Sequence, residues 1–315
     1  MSTDPLVQTF LDAVAGGGQS FLIALPVMAM LWAIGIAQTC RYYKTYPGDT
    51  LLLKYFVGIC LILNTLIFAG FSRTTYFWAI YCRLPAHYLA LPSIIKTPSL
   101  SMACYTTSVM TAVVQCFYAL RVWVLSGRNI FIAFPLFFTI LAAAATGIAV
   151  QVRLDIAGSL LEIYDHFSEI LQTVSFICSS ICDIMICSSL AFFLNRRKKE
   201  AVKSTQGAIL QLVIYSVNIG LVTTLTTVLD LVTWKTIAQD KFVWIIFYIW
   251  LGGIYFNSLL VSLNARASIR SRLRGTIPTT TLPNSTIAFD MDGPLGVNNC
   301  DTMELTSFNR NRNNV

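Results

Sequence analysis

The sequence predicts an all-α protein, a polytopic seven-helix transmembrane bundle followed by a disordered cytoplasmic tail. Three observations carry that expectation. Hydrophobic residues make up 56% of the 315 residues and charged residues only 12%, about half the roughly 25% charged fraction of a soluble domain. The mean hydropathy of +0.66 is spread over seven apolar runs, each long enough for a hydrocarbon core about 30 Å thick, which takes roughly 20 residues of helix. After Asn264 the composition turns abruptly to Ser, Thr, Asn, Pro and charge, and such a segment buries too little apolar surface to offset the entropy of ordering.

In chain order, residues 1–19 carry Asp4 and Asp12 and no Lys or Arg, so the positive start of a cleavable signal peptide is missing. They are expected to be an extracytoplasmic segment ahead of an uncleaved first span, 20–40. The second span, 51–72, is followed by Tyr76, Phe77, Trp78 and Tyr81, expected as an interfacial aromatic belt. The third to seventh spans cover 99–122, 130–151, 168–194, 208–234 and 242–264. The seven-helix domain is thus 20–264, a basic juxtamembrane segment occupies 265–275, and 276–315 reads as tail.

Lys and Arg near the span ends set the orientation. One side collects Arg41, Lys44, Lys54, Arg121, Arg128, Arg196, Arg197, Lys198, Lys199, Lys203, Arg266, Arg270, Arg272 and Arg274, and the other only Arg73, Arg83, Lys96, Arg153, Lys235 and Lys241. The asymmetry places the N-terminus outside and the C-terminus in the cytoplasm, with the plasma membrane expected ahead of internal membranes. The net charge of +7 is therefore a topology signal and does not point to nucleic acid. The partners expected are the bilayer itself and anionic inner-leaflet lipid, held by Arg266, Arg270, Arg272 and Arg274 at about 1 kcal/mol per charge.

Polar residues inside spans are costly and tend to face the bundle interior. At about 100° per residue, Gln172, Ser179, Asp183 and Cys187 share one side of the fifth helix, and Cys104, Ser108, Thr111 and Gln115 one side of the third. The sixth helix aligns Gln211, Tyr215 and Asn218, drifting toward Thr226 and Asp230, and the seventh places Asn257 and Asn264 one heptad apart. With a rise of 1.5 Å per residue, Asp183, Asn218 and Asn257 lie roughly 16, 15 and 10 Å from their cytoplasmic helix ends. They are expected to form one intramembrane polar cluster, with Asn64, Gln115 and Asn264 as further bundle-facing groups. The plainer reading is that each amide glues two helices, at about 0.6 to 2 kcal/mol per hydrogen bond.

The inventory excludes most catalysis. His87 and His166, the only histidines, are read as outer-loop residues and cannot assemble a zinc hydrolase site. No catalytic residue, metal ligand or cofactor site is expected, since G-x-S-x-G, H-E-x-x-H and a phosphate-binding glycine loop are all missing. A retinal pigment needs a lysine within the bundle for its Schiff base, and the seventh span has none. The cysteines fall mostly within apolar runs, with Cys82 in an outer loop and Cys300 in the tail, a distribution of reduced, packed thiols rather than a disulfide framework.

Four segments together resemble a family of seven-pass membrane proteins of unknown function from mushroom-forming basidiomycete fungi. They are Gln115-Cys-Phe-Tyr-Ala-Leu-Arg121-Val-Trp-Val-Leu-Ser126-Gly127-Arg128-Asn129, Cys182-Asp183-Ile184, Tyr215-Ser-Val-Asn218-Ile-Gly220-Leu, and Tyr255-Phe-Asn257-Ser258-Leu-Leu-Val-Ser-Leu-Asn264-Ala265-Arg266. The resemblance covers roughly residues 20–270 and implies the architecture but no activity. Asn64 stands where the family's second helix usually has Asp, which speaks against a charged pair between the second and fifth helices. The outline is also similar to G-protein-coupled receptors. Yet Arg121 has no acidic neighbour, the seventh span lacks Asn-Pro-x-x-Tyr, and residues 152–167 hold no cysteine.

The function expected is that of a receptor-like or sensor membrane protein, non-enzymatic, with an unidentified ligand and an unidentified cytoplasmic partner. The alternative is a small-solute transporter or channel, which favours broken spans at matching positions in two halves. Pro26 and Pro135 alone do not supply them.

Overall fold

The computed structural model describes residues 5–80, 97–158, 163–200, 203–237 and 242–276, with side chains left out at 5–15, 197–219 and 268–276. Among them are seven helices: α1 (Pro5–Thr45), α2 (Leu51–Ala79), α3 (Pro98–Leu125), α4 (Ile130–Ala157), α5 (His166–Glu200), α6 (Lys203–Thr236) and α7 (Trp244–Thr276). The described residues form no strand. All but α6, whose described side chains start at Gly220, are long and apolar enough to cross a membrane. The chain is an integral membrane protein of helical-bundle type. The expectations for Asn218, Arg270, Arg272, Arg274, Cys82, His87, Cys300 and the tail beyond Thr276 fall outside the described side chains.

Local chemistry sets the ends. Thr97 caps α3 by accepting from the Leu100 amide at 3.3 Å, with Pro98 in the first turn, the position where proline's missing N–H costs nothing. Asn129 caps α4 by accepting from the Phe131 amide at 3.0 Å, and α4 stops at Gly158, whose φ of 68° is left-handed, a conformation that glycine adopts without strain.

Each helix packs on its chain neighbours, α7 closes the ring onto α1, and α3 leans on both α5 and α7. The central helix is α7, with 72% of its apolar window buried against 22% for α4. Phe131, Phe134, Phe137, Phe138 and Leu141 of α4 are exposed instead, as suits a surface bathed in lipid.

Two boundaries differ from the sequence expectation. α1 begins at Pro5, well before residue 20, and α2 continues to Ala79, carrying Trp78 into the core at 2% exposure. Trp78 is thus not a belt residue. Its ring lies 5.7 Å from that of Phe21 and 6.2 Å from that of Phe242, and a Cβ at Gly17 would come within 2.6 Å of it. The smallness of Gly17 lets the extended α1 and α2 close on each other there. His166 likewise opens α5 rather than ending a loop, and residues 265–275 continue α7 without a break.

A seam between α1 and α7 joins two helices running the same way. Trp250 Nε1 donates to the Ala24 carbonyl at 3.0 Å, Asn257 Nδ2 to Leu31 at 2.8 Å and Asn264 Nδ2 to Gln38 at 3.0 Å, each pair 226 residues apart. The heptad spacing on both helices is that of a coiled-coil contact. Gly35 fits the seam closely, since a Cβ there would stand 2.9 Å from the Phe256 ring.

Candidate functional site

Four helices turn a polar stripe toward one axis. On α3 it is Thr107, Ser108, Thr111 and Gln115; on α5 Ser175, Ser179 and Asp183; on α6 Thr223, Thr227 and Asp230; on α7 Tyr248 and Tyr255. The spacings of three, four and seven are those that keep side chains on one helix face. At its centre Asp183, 4% exposed, accepts from Tyr255 OH at 2.6 Å on Oδ2 and from Gln115 Nε2 at 3.0 Å on Oδ1. Gln115 Nε2 also lies 3.2 Å from Ser179 Oγ and 3.2 Å from Tyr255 OH. Thr223 of α6 stands near the same carboxyl, its own hydroxyl donating to the Gly220 carbonyl at 3.1 Å. One carboxyl group therefore ties α3, α5 and α7 together.

Next to this cluster lies a cavity of about 40 Å³, room for a few waters, since one water needs roughly 10–15 Å³ on the same measure. Its lining includes Thr107, Ser108, Thr111, Gln115, Ser175, Ser179, Thr227 and Tyr248. Among the described residues, Thr111 Oγ1 and both carboxyl oxygens of Asp230 are buried with no hydrogen-bond partner. Asp230 itself is fully buried.

The cluster differs in membership from the one expected. Gln115, expected only as a further bundle-facing group, is a direct partner of Asp183. Asn257 is not. Its Nδ2 serves the carbonyls of Leu31 and Gly253, both at 2.8 Å. The reason is angular, because residues 255 and 257 project about 200° apart on a helix, so Tyr255 and Asn257 cannot both face α5. Asn264 belongs to the α1 seam with Asn257. Asn64 is buried, its Nδ2 unpartnered among the described residues, near Gly35 and Phe256 and outside the hydrogen bonds made to Asp183.

Sequence reasoning missed Tyr248 and Tyr255 as site members, along with Thr107, Ser175, Thr223 and Thr227, and it set Asp230 on the polar face of α6 without assigning it to the cluster. Tyr248 and Tyr255 are a heptad apart, which was a usable signal, but tyrosines in an apolar span read first as packing residues.

At the end of the bundle bearing most of the basic residues, Arg266 is also placed differently. Its Nη2 pairs with Asp49 Oδ2 at 2.6 Å and its guanidinium lies 4.5 Å from the Tyr46 ring centroid, so this arginine is taken up by the α1–α2 turn rather than left for lipid. Arg121 donates to Ser262 and sits 5.9 Å from the Phe117 ring centroid. Around that level Val122, Leu190, Leu194, Leu259, Leu260 and Leu263 belong to the continuous apolar core.

No curated protein and no solved structure matches the chain. Residues 179–268, which carry Asp183, Asp230, Tyr255 and the α7 side of the seam, match a family of unknown function, DUF6534.

Proposed function

We propose that this is a receptor-like or sensor membrane protein of fungal origin, non-enzymatic, residing in the plasma membrane with its basic end in the cytoplasm. The observation that carries the reading is the one-sidedness of its polar interior. The hydroxyl-lined cavity and both buried carboxyls, Asp183 and Asp230, lie at mid-bundle and toward the end opposite the basic residues. Toward the basic end, among the described side chains, Val122, Leu190, Leu194, Leu259, Leu260 and Leu263 pack into the apolar core, with Tyr118, Ser258 and Ser262 as buried polar groups beside them. A polar site in one half of the bundle, backed by packed side chains, suits detection, and Arg121 on Ser262 and Arg266 on Asp49 give the basic end two polar latches through which a rearrangement could be passed on. A small-solute transporter or channel, the second reading, needs a polar route through that plug.

The test is flux. Purified protein in proteoliposomes should pass protons, potassium, urea and glycerol no faster than vesicles holding heat-inactivated protein. Specific flux of any of these, abolished by an Asp183→Leu variant that remains folded, would transfer the bundle to the transporter class.

A further inference from the structure

We infer that the hydroxyl-lined cavity between α3, α4, α5, α6 and α7 is a binding site for a small monovalent cation. The sign of the site follows from where its protons go. Thr107 donates to the Ala103 carbonyl at 2.9 Å, Ser108 to Cys104 at 3.2 Å, Ser175 to Ala143 at 3.0 Å and Thr227 to Thr224 at 3.0 Å. Each hydroxyl has spent its single hydrogen on a backbone carbonyl, so what it has left for the cavity is lone pairs. Ser179 Oγ accepts from Gln115 Nε2 at 3.2 Å. Thr111 Oγ1, 9% exposed, lines the cavity without a partner among the described residues. Four hydroxyl oxygens that can only accept, with the Thr111 oxygen free to turn its lone pairs inward, favour a hard cation over an anion.

Charge points the same way. On α5, Asp183 lies one turn from Ser179 toward the basic end, a rise of about 6 Å, and on the oppositely directed α6, Asp230 lies about 4.5 Å from Thr227 toward the other end. The cavity is thus bracketed along the bundle axis by two buried carboxyls. No Lys, Arg or His is among its lining residues, and neither acid has an ion-pair partner among the described residues. Buried acids at this depth need a compensating positive charge or a proton, and a cation among the hydroxyls supplies that charge to both at once. The volume, about 40 Å³, suits one small ion with a water or two. It is far below the roughly 300 Å³ or more of an organic-ligand pocket. Two carboxyls held a turn away, rather than in direct contact, suit one charge better than two, because divalent sites bind carboxylate oxygens directly.

The inference deepens the receptor reading by naming an ion for the same interior, but binding does not depend on that reading. Purified full-length protein is dialysed against radioactive sodium at constant ionic strength, with N-methyl-glucamine chloride as the balancing salt. Saturable, stoichiometric sodium binding is expected. Thr111→Val, which keeps the shape and removes the oxygen, Ser179→Ala and Asp183→Asn should each weaken it by about tenfold or more, the scale seen when groups supporting a metal are removed. Thr106→Val, on the same helix but outside the cavity lining, should leave it unchanged. Absence of saturable sodium binding to the wild type would overturn the site and leave the receptor reading standing, and so would unchanged affinity in all three cavity variants. Sodium binding accompanied by sodium flux in proteoliposomes would keep the site and overturn the receptor reading.

Discussion

Replacing Asp183 by Leu removes the acceptor for Tyr255 OH at 2.6 Å and for Gln115 Nε2 at 3.0 Å. Interhelical hydrogen bonds within a bilayer are worth about 0.6 kcal/mol on average and up to about 1.7, so the two bonds account for roughly 1–3 kcal/mol. The Tyr255 hydroxyl, buried in a helix that is packed all round, would then be left without its acceptor, which adds about 1–3 kcal/mol. Asp183→Leu should therefore cost about 2–6 kcal/mol. Asp183→Asn, which retains an acceptor for Tyr255, should cost about 1 kcal/mol. Tyr255→Phe relieves the orphaned hydroxyl in the Leu background, so the double change should cost less than the sum by about 1–2 kcal/mol, a coupling typical of residues in one network. The measurement is reversible unfolding in mixed micelles titrated with denaturing detergent. A parallel cycle with Asn257→Leu serves as control and should be additive, because the Asn257 amide bonds Leu31 and Gly253 instead. Coupling between Asp183 and Tyr255 below about 0.5 kcal/mol, or a larger coupling with Asn257, would refute the cluster as described.

Gly35→Ala should lower stability by about 1–3 kcal/mol through overpacking, because the new Cβ meets the buried Phe256 ring at 2.9 Å, whereas Gly48→Ala meets nothing within 4 Å and should be neutral; equal melting temperatures would discount the seam. An Asp49→Ala and Arg266→Ala cycle should give a coupling of up to about 1 kcal/mol that shrinks as salt rises, and no coupling at low salt would mean the pair does not form in the membrane. With Arg266 held by Asp49, Arg266→Ala should barely alter binding of the protein to anionic vesicles, while joint replacement of Arg270, Arg272 and Arg274 by Ala should remove most of the salt-dependent part; the opposite ranking would assign lipid binding to Arg266. An epitope at the N-terminus should be accessible on intact cells and one at Val315 only after permeabilisation, and finding both on the same side would rule out the seven-span topology.

Some of the site was legible before any coordinates. The stripe Ser108, Thr111 and Gln115 and the stripe Ser179 and Asp183 were readable from helical periodicity, and the structure places all five at one cavity or its carboxyl. Asn257 and Asn264 were correctly read as sharing a face. Which neighbour that face meets was not legible, because depth alone made Asn257 as plausible a partner for Asp183 as any residue on α7. Arg266 was read as a lipid contact because its companions are basic and its partner Asp49 is 217 residues away, a separation that no local pattern spans.

By itself the sequence determined that the protein is an all-helical bundle with long apolar helices, and on which helix faces the polar groups lie. Hydrocarbon forces these features locally: every backbone N–H and C=O must be satisfied within its own segment, about 20 apolar residues are needed to cross, and side chains repeat every 3.6 residues. Only the tertiary structure decided how each helix is rotated against its neighbours. For α7 this matters most, because it is buried on all sides and carries polar groups on opposite faces, Tyr255 toward Asp183 and Asn257 toward α1. A helix with a lipid-facing side announces its orientation through the polarity difference between faces. The central helix has no such difference, so its partners are set by packing against α1, α2, α3 and α6 together.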